Sequence, residues 1–211
     1  MPRTFADALG WVDRGNHLLD HAVAGLSDAA FDEPSLLPGW NRRHVVAHVA
    51  ANAEALGHLM AWAATGVETP MYVSMEARAA GIEEGAARPV IELRVWLAES
   101  AAALGRAMAD LPADRWQAEV RTAQGRLVPA SEVAWMRARE VCVHAVDLAA
   151  GVGFADLPEG FCAALSEEIL AKRGLDGLPP QVSGAPLAET TAWLAGRPHT
   201  LSAAPELGPW L

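Results

Sequence analysis

The stretch SEVAWMRAREVCVHAVDLAA, residues 131–150, decides the fold because it predicts a helix that is largely apolar around a few polar residues. Its apolar residues follow helical spacing, without the alternation that is typical of a strand. Glu140 and His144 stand four residues apart, so both side chains lie on one face of that helix. A carboxylate in such apolar surroundings needs a charged or hydrogen-bonded partner. The stretch therefore predicts a packed helix with a polar site on its inner face.

A second helix with the same spacing is predicted upstream, at about residues 41–66, with Asn41 as its N-cap. It carries His44 and His48, again four residues apart. A catalytic zinc takes three ligands of the His or Glu type and keeps a fourth position open. Two ligands from one helix and one from a facing helix can supply this set. Spacing alone leaves open the alternative that each histidine is partly buried and satisfied by the backbone or a carboxylate.

Two further long helices complete a four-helix pattern. Thr4 can cap a first helix that runs to about Val23, and Pro89 can begin another that ends near residue 111. Residues 68–88 are expected to be looser, because they contain a proline and two glycines. Four long helices with short to medium connections predict a mainly α protein, an antiparallel four-helix bundle with its metal site on inward-facing residues.

The chain is expected to divide into two parts. The bundle spans residues 1–152, and residues 153–211 form a small C-terminal α or α+β subdomain packed on it. The second part differs because residues 174–186 are rich in glycine and proline. Within the bundle, residues 116–129 alternate around Val120 and are expected to form a hairpin or an extended loop.

The composition argues against several functions. The chain has 211 residues, of which 52% are hydrophobic, enough for one sizeable core. Its net charge is −10 and it has no basic stripe, which argues against binding to nucleic acid. It has neither a long uncharged apolar run nor a signal-peptide pattern, so we expect a cytoplasmic protein without a membrane partner. Cys142 and Cys162 form no motif and are expected to be reduced core residues.

Three other polar residues are weaker candidates. Asp147 lies three residues after His144, on the same helix face. It could orient a ligand imidazole or transfer a proton, and it could equally be a surface acid or an ion-pair partner. His58 and His199 belong to no spaced pair and are expected to be surface or core residues.

At these residues the chain resembles the mycothiol-dependent maleylpyruvate isomerase family, within the DinB-like group of metal-binding four-helix bundles. The resemblance lies in residues 37–48 (LPGWNRRHVVAH), 135–148 (WMRAREVCVHAVDL), 193–197 (WLAGR) and the Pro-Trp-Leu ending. It implies that His48, Glu140 and His144 are the metal ligands and that His44 has a supporting role. DinB-like relatives that transfer other thiols often use three histidines, so Glu140 favours the isomerase branch.

The resemblance also implies an activity. The family converts maleylpyruvate to fumarylpyruvate, a cis–trans isomerisation in the breakdown of aromatic acids through gentisate, with mycothiol as cosubstrate. A divalent metal, expected to be Zn2+, favours the thiolate, which adds to the double bond and leaves after rotation. The expected partners are a small dicarboxylate substrate and a low-molecular-weight thiol. The protein itself is expected to be a monomer or a small homo-oligomer.

The same resemblance places Arg78 and Arg197 near the site. A bidentate guanidinium matches a carboxylate, so both are expected to bind the substrate. The alternatives are a solvated charge for Arg78, expected in the loop before the third helix, and helix-dipole complementation for Arg197. Residues 174–188 are shorter than in these isomerases, which suggests a trimmed C-terminal subdomain.

Two other functions stay open at this point. A mycothiol S-transferase of the same fold would conjugate electrophiles and release the adduct. A non-catalytic helical binding protein would hold a small molecule or a partner protein, and its histidines would be structural. Metal content and thiol consumption separate the three possibilities.

Overall fold

A computed structural model describes residues 3–208 of the chain, and the Pro-Trp-Leu ending, residues 209–211, lies outside the described residues. The described part is mainly helical, with helices α1 (Phe5–Gly25), α2 (Arg42–Thr65), α3 (Met75–Ala86), α4 (Val90–Ala109), α5 (Glu132–Asp147), α6 (Glu159–Lys172) and α7 (Leu187–Leu194). Short 3-10 turns occur at Ala29–Asp32, Ala113–Gln117 and Phe154–Asp156. Within residues 3–208, none of the helices combines the length and apolarity that a membrane crossing requires.

The first two helices begin where the sequence predicts because polar side chains cap their free N–H groups. At α1 the hydroxyl of Thr4 accepts from the backbone N–H of Asp7 at 3.1 Å, and the Asp7 carboxylate accepts from the Thr4 N–H at 2.9 Å. At α2, Oδ1 of Asn41 accepts from the N–H of His44 at 3.2 Å. The second cap fixes the start of α2, and with it the side to which His48 points.

The long helices α1, α2, α4 and α5 pack as a bundle, which confirms the predicted fold. Helix α1 lies against α5, and α2 packs against both α4 and α5. The contact between α1 and α5 is close because Gly15 has no side chain, and a Cβ there would collide with Val141 and Cys142. Cys142 and Cys162 are both free and buried, as the sequence predicts.

Residues 68–88 are not uniformly loose as predicted, because residues Met75–Ala86 form α3. The Ser74 hydroxyl caps this helix by accepting from the backbone N–H of Ala77 at 3.1 Å. Arg78 therefore lies on the first turn of a helix, and its predicted place in a loop was wrong.

Packing explains why α3 forms despite two interior glycines, which lower helix propensity. Gly85 lies where α3 meets the bundle. A Cβ at that position would stand 2.5 Å from Cζ3 of Trp96 and 2.9 Å from Cβ of Ala47. The glycine allows α3 to approach α2 and α4, so tertiary contact outweighs local propensity here.

The connection between α4 and α5 contains a hairpin, one of the two forms predicted for it. Strands β1 (Glu119–Arg121) and β2 (Leu127–Pro129) are antiparallel, and Val120 pairs with Val128. Both valine side chains are buried. Gly125 makes the turn with a φ of 80°, a conformation that glycine adopts without strain.

The C-terminal region adds α6 and α7, which pack against each other, and no strand is found in residues 153–208. The carboxylate of Glu168 on α6 accepts from Nε1 of Trp135 and from Nη1 of Arg139 on α5, each at 2.5 Å. The ring of Phe161 lies 5.6 Å from that of Trp135. Because the core continues across the predicted boundary, a division after residue 152 stays a prediction.

Candidate metal centre

Three side chains from α2 and α5 converge between the two helices. Nε2 of His48 lies 2.9 Å from Oε2 of Glu140, and Nε2 of His144 lies 3.3 Å from the same oxygen. The two imidazole rings are 4.8 Å apart and nearly perpendicular, at 86°. One ligand atom from each of the three residues lies within 4.8 Å of the other two. The structure thus brings together the three residues that are predicted to bind a metal.

The spacing of these atoms suits a divalent metal. Two ligands that bind one tetrahedral zinc at about 2.0–2.1 Å lie roughly 3.3 Å apart. The separations of the two histidine nitrogens from Glu140, 2.9 and 3.3 Å, are close to that value. Two imidazoles and a carboxylate also form a donor set that zinc and other first-row metals accept. The residues present therefore fit the metal that the resemblance implies.

Asp147 orients His144 and is itself held by Arg197. Oδ2 of Asp147 lies 2.9 Å from Nδ1 of His144, while Nε2 of that ring faces Glu140. Nε and Nη2 of Arg197 each donate to the Asp147 carboxylate at 2.8 Å. Asp147 is completely buried, so it is not the surface acid that the sequence left open. A carboxylate on the outer nitrogen of a ligand histidine fixes the tautomer and directs the other nitrogen toward the metal.

Arg78 approaches the centre from the opposite side. Its Nη2 lies 3.3 Å from Nδ1 of His48, and its guanidinium carbon lies 5.8 Å from the ring centre of Tyr72. A guanidinium can only donate, so in the metal-free protein Nδ1 of His48 accepts here and its Nε2 donates to Glu140. A metal bound at Nε2 would place that proton on Nδ1, which would then no longer accept from Arg78. Arg78 is half-buried and next to the candidate ligands, and is not a solvated surface charge.

The buried charges of the cluster shift one another's pKa. Burial opposes ionisation of Glu140, yet hydrogen bonds with His144 and His48 hold its pKa well below the usual range. Burial also disfavours the imidazolium of His144, but Asp147 and Glu140 raise its pKa to about 9. Burial lowers the pKa of His48, and Glu140 offsets this only in part. Burial would raise the pKa of Asp147, but Arg197 and His144 lower it overall.

His44 stands beside the cluster and outside the triad. Its Nδ1 lies 2.5 Å from Oδ1 of Asn41, and its Nε2 lies 3.3 Å from the Glu83 carboxylate. Its ring stacks on that of Trp40 at 6.1 Å, and the Trp40 ring also lies 5.5 Å from that of His48. These contacts agree with the supporting role that the resemblance implies for His44.

The remaining candidates lie elsewhere. His58 contacts the carbonyl of Met71 through Nδ1 at 3.3 Å, and Nδ1 of His199 accepts from the N–H of Leu201 at 3.2 Å. The sequence reasoning missed Tyr72, which follows no periodic pattern because it lies in the connection between α2 and α3. Its one distinguishing mark in the sequence is that the chain contains a single tyrosine.

Comparisons with known proteins identify the family and the fold. Residues 12–149 match the sequence family described as Mycothiol maleylpyruvate isomerase N-terminal domain. The fold is similar to a crystal structure of the mycothiol-dependent maleylpyruvate isomerase, with a TM-score of 0.85 and 40% identity over 93% of this chain and 90% of that chain. A crystal structure of that isomerase with one histidine replaced by alanine gives the same values. No match was found among curated protein sequences.

Proposed function

Because this chain belongs to the mycothiol-dependent maleylpyruvate isomerase family, we propose that it converts maleylpyruvate to fumarylpyruvate with mycothiol as cosubstrate. We also propose that His48, Glu140 and His144 bind the catalytic metal. The observation that carries this assignment is the approach of their ligand atoms to within 4.8 Å of one another, from two different helices. Three protein ligands leave one position for a thiol.

The reaction needs a thiolate and no net consumption of thiol. A divalent cation at the site would supply the Lewis acidity that lowers the pKa of the thiol. The sulfur adds to one carbon of the cis double bond, and the electron pair moves onto the oxygen of the conjugated carbonyl. Rotation follows about the resulting single bond. Return of the electron pair restores the double bond in the trans form and expels the thiolate.

Arg197 supports the site in two ways. Through Asp147 it maintains the orientation of His144, and its Nη1 donates to the carbonyl of Ala195 at 2.7 Å. Within residues 3–208, three of the five guanidinium N–H groups are used: Nε and Nη2 each donate to Asp147, and Nη1 donates to Ala195. We propose that the other two bind one carboxylate of the substrate, and that Arg78 binds the other.

The finer assignments follow from the donor set and the family. Two imidazoles with a carboxylate are a ligand set that catalytic zinc sites use, and we propose zinc. The reaction would be a step in the breakdown of aromatic acids through gentisate. We propose that it takes place in the cytoplasm and that the protein is a monomer or a small homo-oligomer.

The test follows maleylpyruvate and thiol in the same reaction. The purified protein is incubated with maleylpyruvate and a catalytic amount of mycothiol, and loss of the cis isomer and of free thiol are recorded together with metal content. We expect many turnovers per thiol and about one metal per chain. Stoichiometric loss of thiol would identify an S-transferase, and a protein without turnover or bound metal would be a binding protein.

A further inference from the structure

The connection between α2 and α3 passes the candidate metal centre as it leaves the core. Met71 is 6% exposed, Tyr72 is half-buried, and Val73 is 95% exposed. The ring of Tyr72 packs against the core while the residue after it is in solvent. Tyr72 therefore lies at the rim of the site, and its position is fixed by the buried residue before it.

Tyr72, Arg78 and His48 form a short chain of contacts that leads to the triad. The guanidinium carbon of Arg78 lies 5.8 Å from the ring centre of Tyr72, within the range of a cation–π contact. Nη2 of the same side chain lies 3.3 Å from Nδ1 of His48. Arg78 thus lies between an aromatic ring and a candidate metal ligand.

The charge of Arg78 is not cancelled by its neighbours. In residues 3–208 no carboxylate lies within ion-pair distance of its guanidinium, whereas the carboxylate of Asp147 pairs with Arg197 at 2.8 Å. An aromatic ring attracts a cation without neutralising it. Burial and the Glu140 carboxylate raise the pKa of Tyr72 by more than Arg78 lowers it. The phenol therefore stays neutral at physiological pH. The half-buried guanidinium of Arg78 therefore keeps its positive charge and has N–H donors that can bind an anion.

We propose that Tyr72 is a positioning residue of this enzyme, whose side chain holds Arg78 beside His48 with its charge uncompensated, ready to bind a carboxylate of the substrate. The proposal rests on the isomerase function in naming the substrate as the anion. A flexible arginine loses rotamer freedom when it binds a ligand, so an aromatic surface that orders it beforehand favours binding. The orientation affects substrate affinity, while the thiolate chemistry depends on the triad.

Kinetics separate positioning from a merely structural role. Tyr72→Leu removes ring and hydroxyl, Tyr72→Phe keeps the ring, and Val73→Ala changes the exposed neighbour as a control. We expect Tyr72→Leu to raise KM for maleylpyruvate roughly five- to tenfold with little change in kcat, and Val73→Ala to stay within about twofold. Tyr72→Phe keeps the ring but loses the hydroxyl contact with Arg78, so its KM should lie between those of the wild type and Tyr72→Leu. In an Arg78→Met background, Tyr72→Leu should add less than about twofold. A full additional effect in that background, or an unchanged KM in Tyr72→Leu, overturns the proposal.

A spectroscopic readout tests the same contact without catalysis. Because the chain has one tyrosine, biosynthetic 3-fluorotyrosine gives a single 19F resonance that reports on residue 72. We expect Arg78→Met to shift this resonance, and maleate, a cis dicarboxylate without the keto group, to shift it only when Arg78 is present. An identical response to maleate in both proteins overturns the proposal. If maleylpyruvate is not turned over by the wild type but both shifts occur, the isomerase function fails and the positioning of Arg78 stands.

Discussion

The two sides of the candidate metal centre are built differently. On the α5 side, His144 contacts Asp147 at 2.9 Å, and Asp147 is paired with Arg197 by two contacts of 2.8 Å. On the α2 side, His48 meets the guanidinium of Arg78 at 3.3 Å. One candidate ligand histidine is thus backed by a buried anion and the other by a cation.

This difference separates two tasks that a metal enzyme must combine. A carboxylate behind an imidazole orients the ring and raises its basicity, which favours metal binding. A guanidinium behind an imidazole does neither, but it places an uncompensated positive charge next to the centre. We infer that Asp147 on the α5 side strengthens metal binding by the triad, and that Arg78 on the α2 side adds a positive charge for one carboxylate of the substrate.

The largest effect on zinc affinity and activity is expected when a residue of the triad is removed. His48→Ala and Glu140→Ala should each weaken zinc affinity more than roughly 100-fold, because removal of an outer partner alone costs 10- to 100-fold. Activity should fall below detection. Zinc content after dialysis and zinc competition titrations measure this, and His44→Ala, on the same helix but outside the triad, should keep its metal. A tightly held metal in both triad variants would show that the ion binds elsewhere.

The second-largest effect is expected when the outer partner of one candidate ligand histidine is changed on each side of the centre. Asp147→Asn keeps the shape but removes the charge behind His144, and should weaken zinc affinity about 10- to 100-fold. Arg78→Met should leave zinc affinity within about threefold and raise KM for maleylpyruvate. Zinc competition and steady-state kinetics on both proteins provide the data, with the exposed carboxylate of Glu83 changed to Gln as a control. Equal effects on zinc affinity from the two sides would refute the division of tasks.

The sequence predicts the α5 side well because its parts lie within one helix. Residues four apart share a face, so the common orientation of Glu140 and His144 follows from spacing alone, and Asp147 is one turn further on the same face. The role of Glu140 and His144 as ligands was implied by the family resemblance. The partner of the Asp147 carboxylate was harder to place. Arg197 is 50 residues away, and the family resemblance put it near the site without naming Asp147 as its contact.

The opposite side was predicted less well because its geometry depends on tertiary packing. Two glycines suggested a loose connection, and only the close approach of Gly85 to α2 and α4 explains why α3 forms there. That helix carries Arg78 toward His48, over a tyrosine that lies in a connection. No local pattern encodes an approach between separate elements, so periodicity identifies His48 on this side but neither Arg78 nor Tyr72.

Metal binding should depend on pH through the α5 side. The pKa of His144 is raised to about 9 in the metal-free protein, so zinc must displace its proton at neutral pH. The apparent affinity should therefore rise about tenfold per pH unit up to about pH 9 and level off above it. Glu140 and His48 add no proton to displace there, because the pKa of each is lowered.

Competition against a chelator of known affinity, from pH 6.5 to 9.5, measures this dependence. In Asp147→Asn the levelling should move to lower pH, since the carboxylate that raises the pKa of His144 is gone. An affinity that does not change with pH in the wild type would mean that His144 is already neutral, and that the buried carboxylates do not act on it.

The smallest expected effect concerns the packing of α3 against the bundle. Alanine at two different glycines of this helix should change the free energy of unfolding in opposite directions. A methyl group on Gly85 would press on Trp96 and Ala47, so Gly85→Ala should lower the free energy of unfolding by about 1–3 kcal/mol. A methyl group on Gly81 meets no atom within 4 Å, so Gly81→Ala should raise it by about 0.5–1 kcal/mol. Urea unfolding measures both. Because α3 carries Arg78, Gly85→Ala should also raise KM for maleylpyruvate while zinc affinity stays unchanged. A loss of zinc affinity in that variant would show that a displacement of α3 also disturbs the metal ligands, so that the two sides of the centre are not independent.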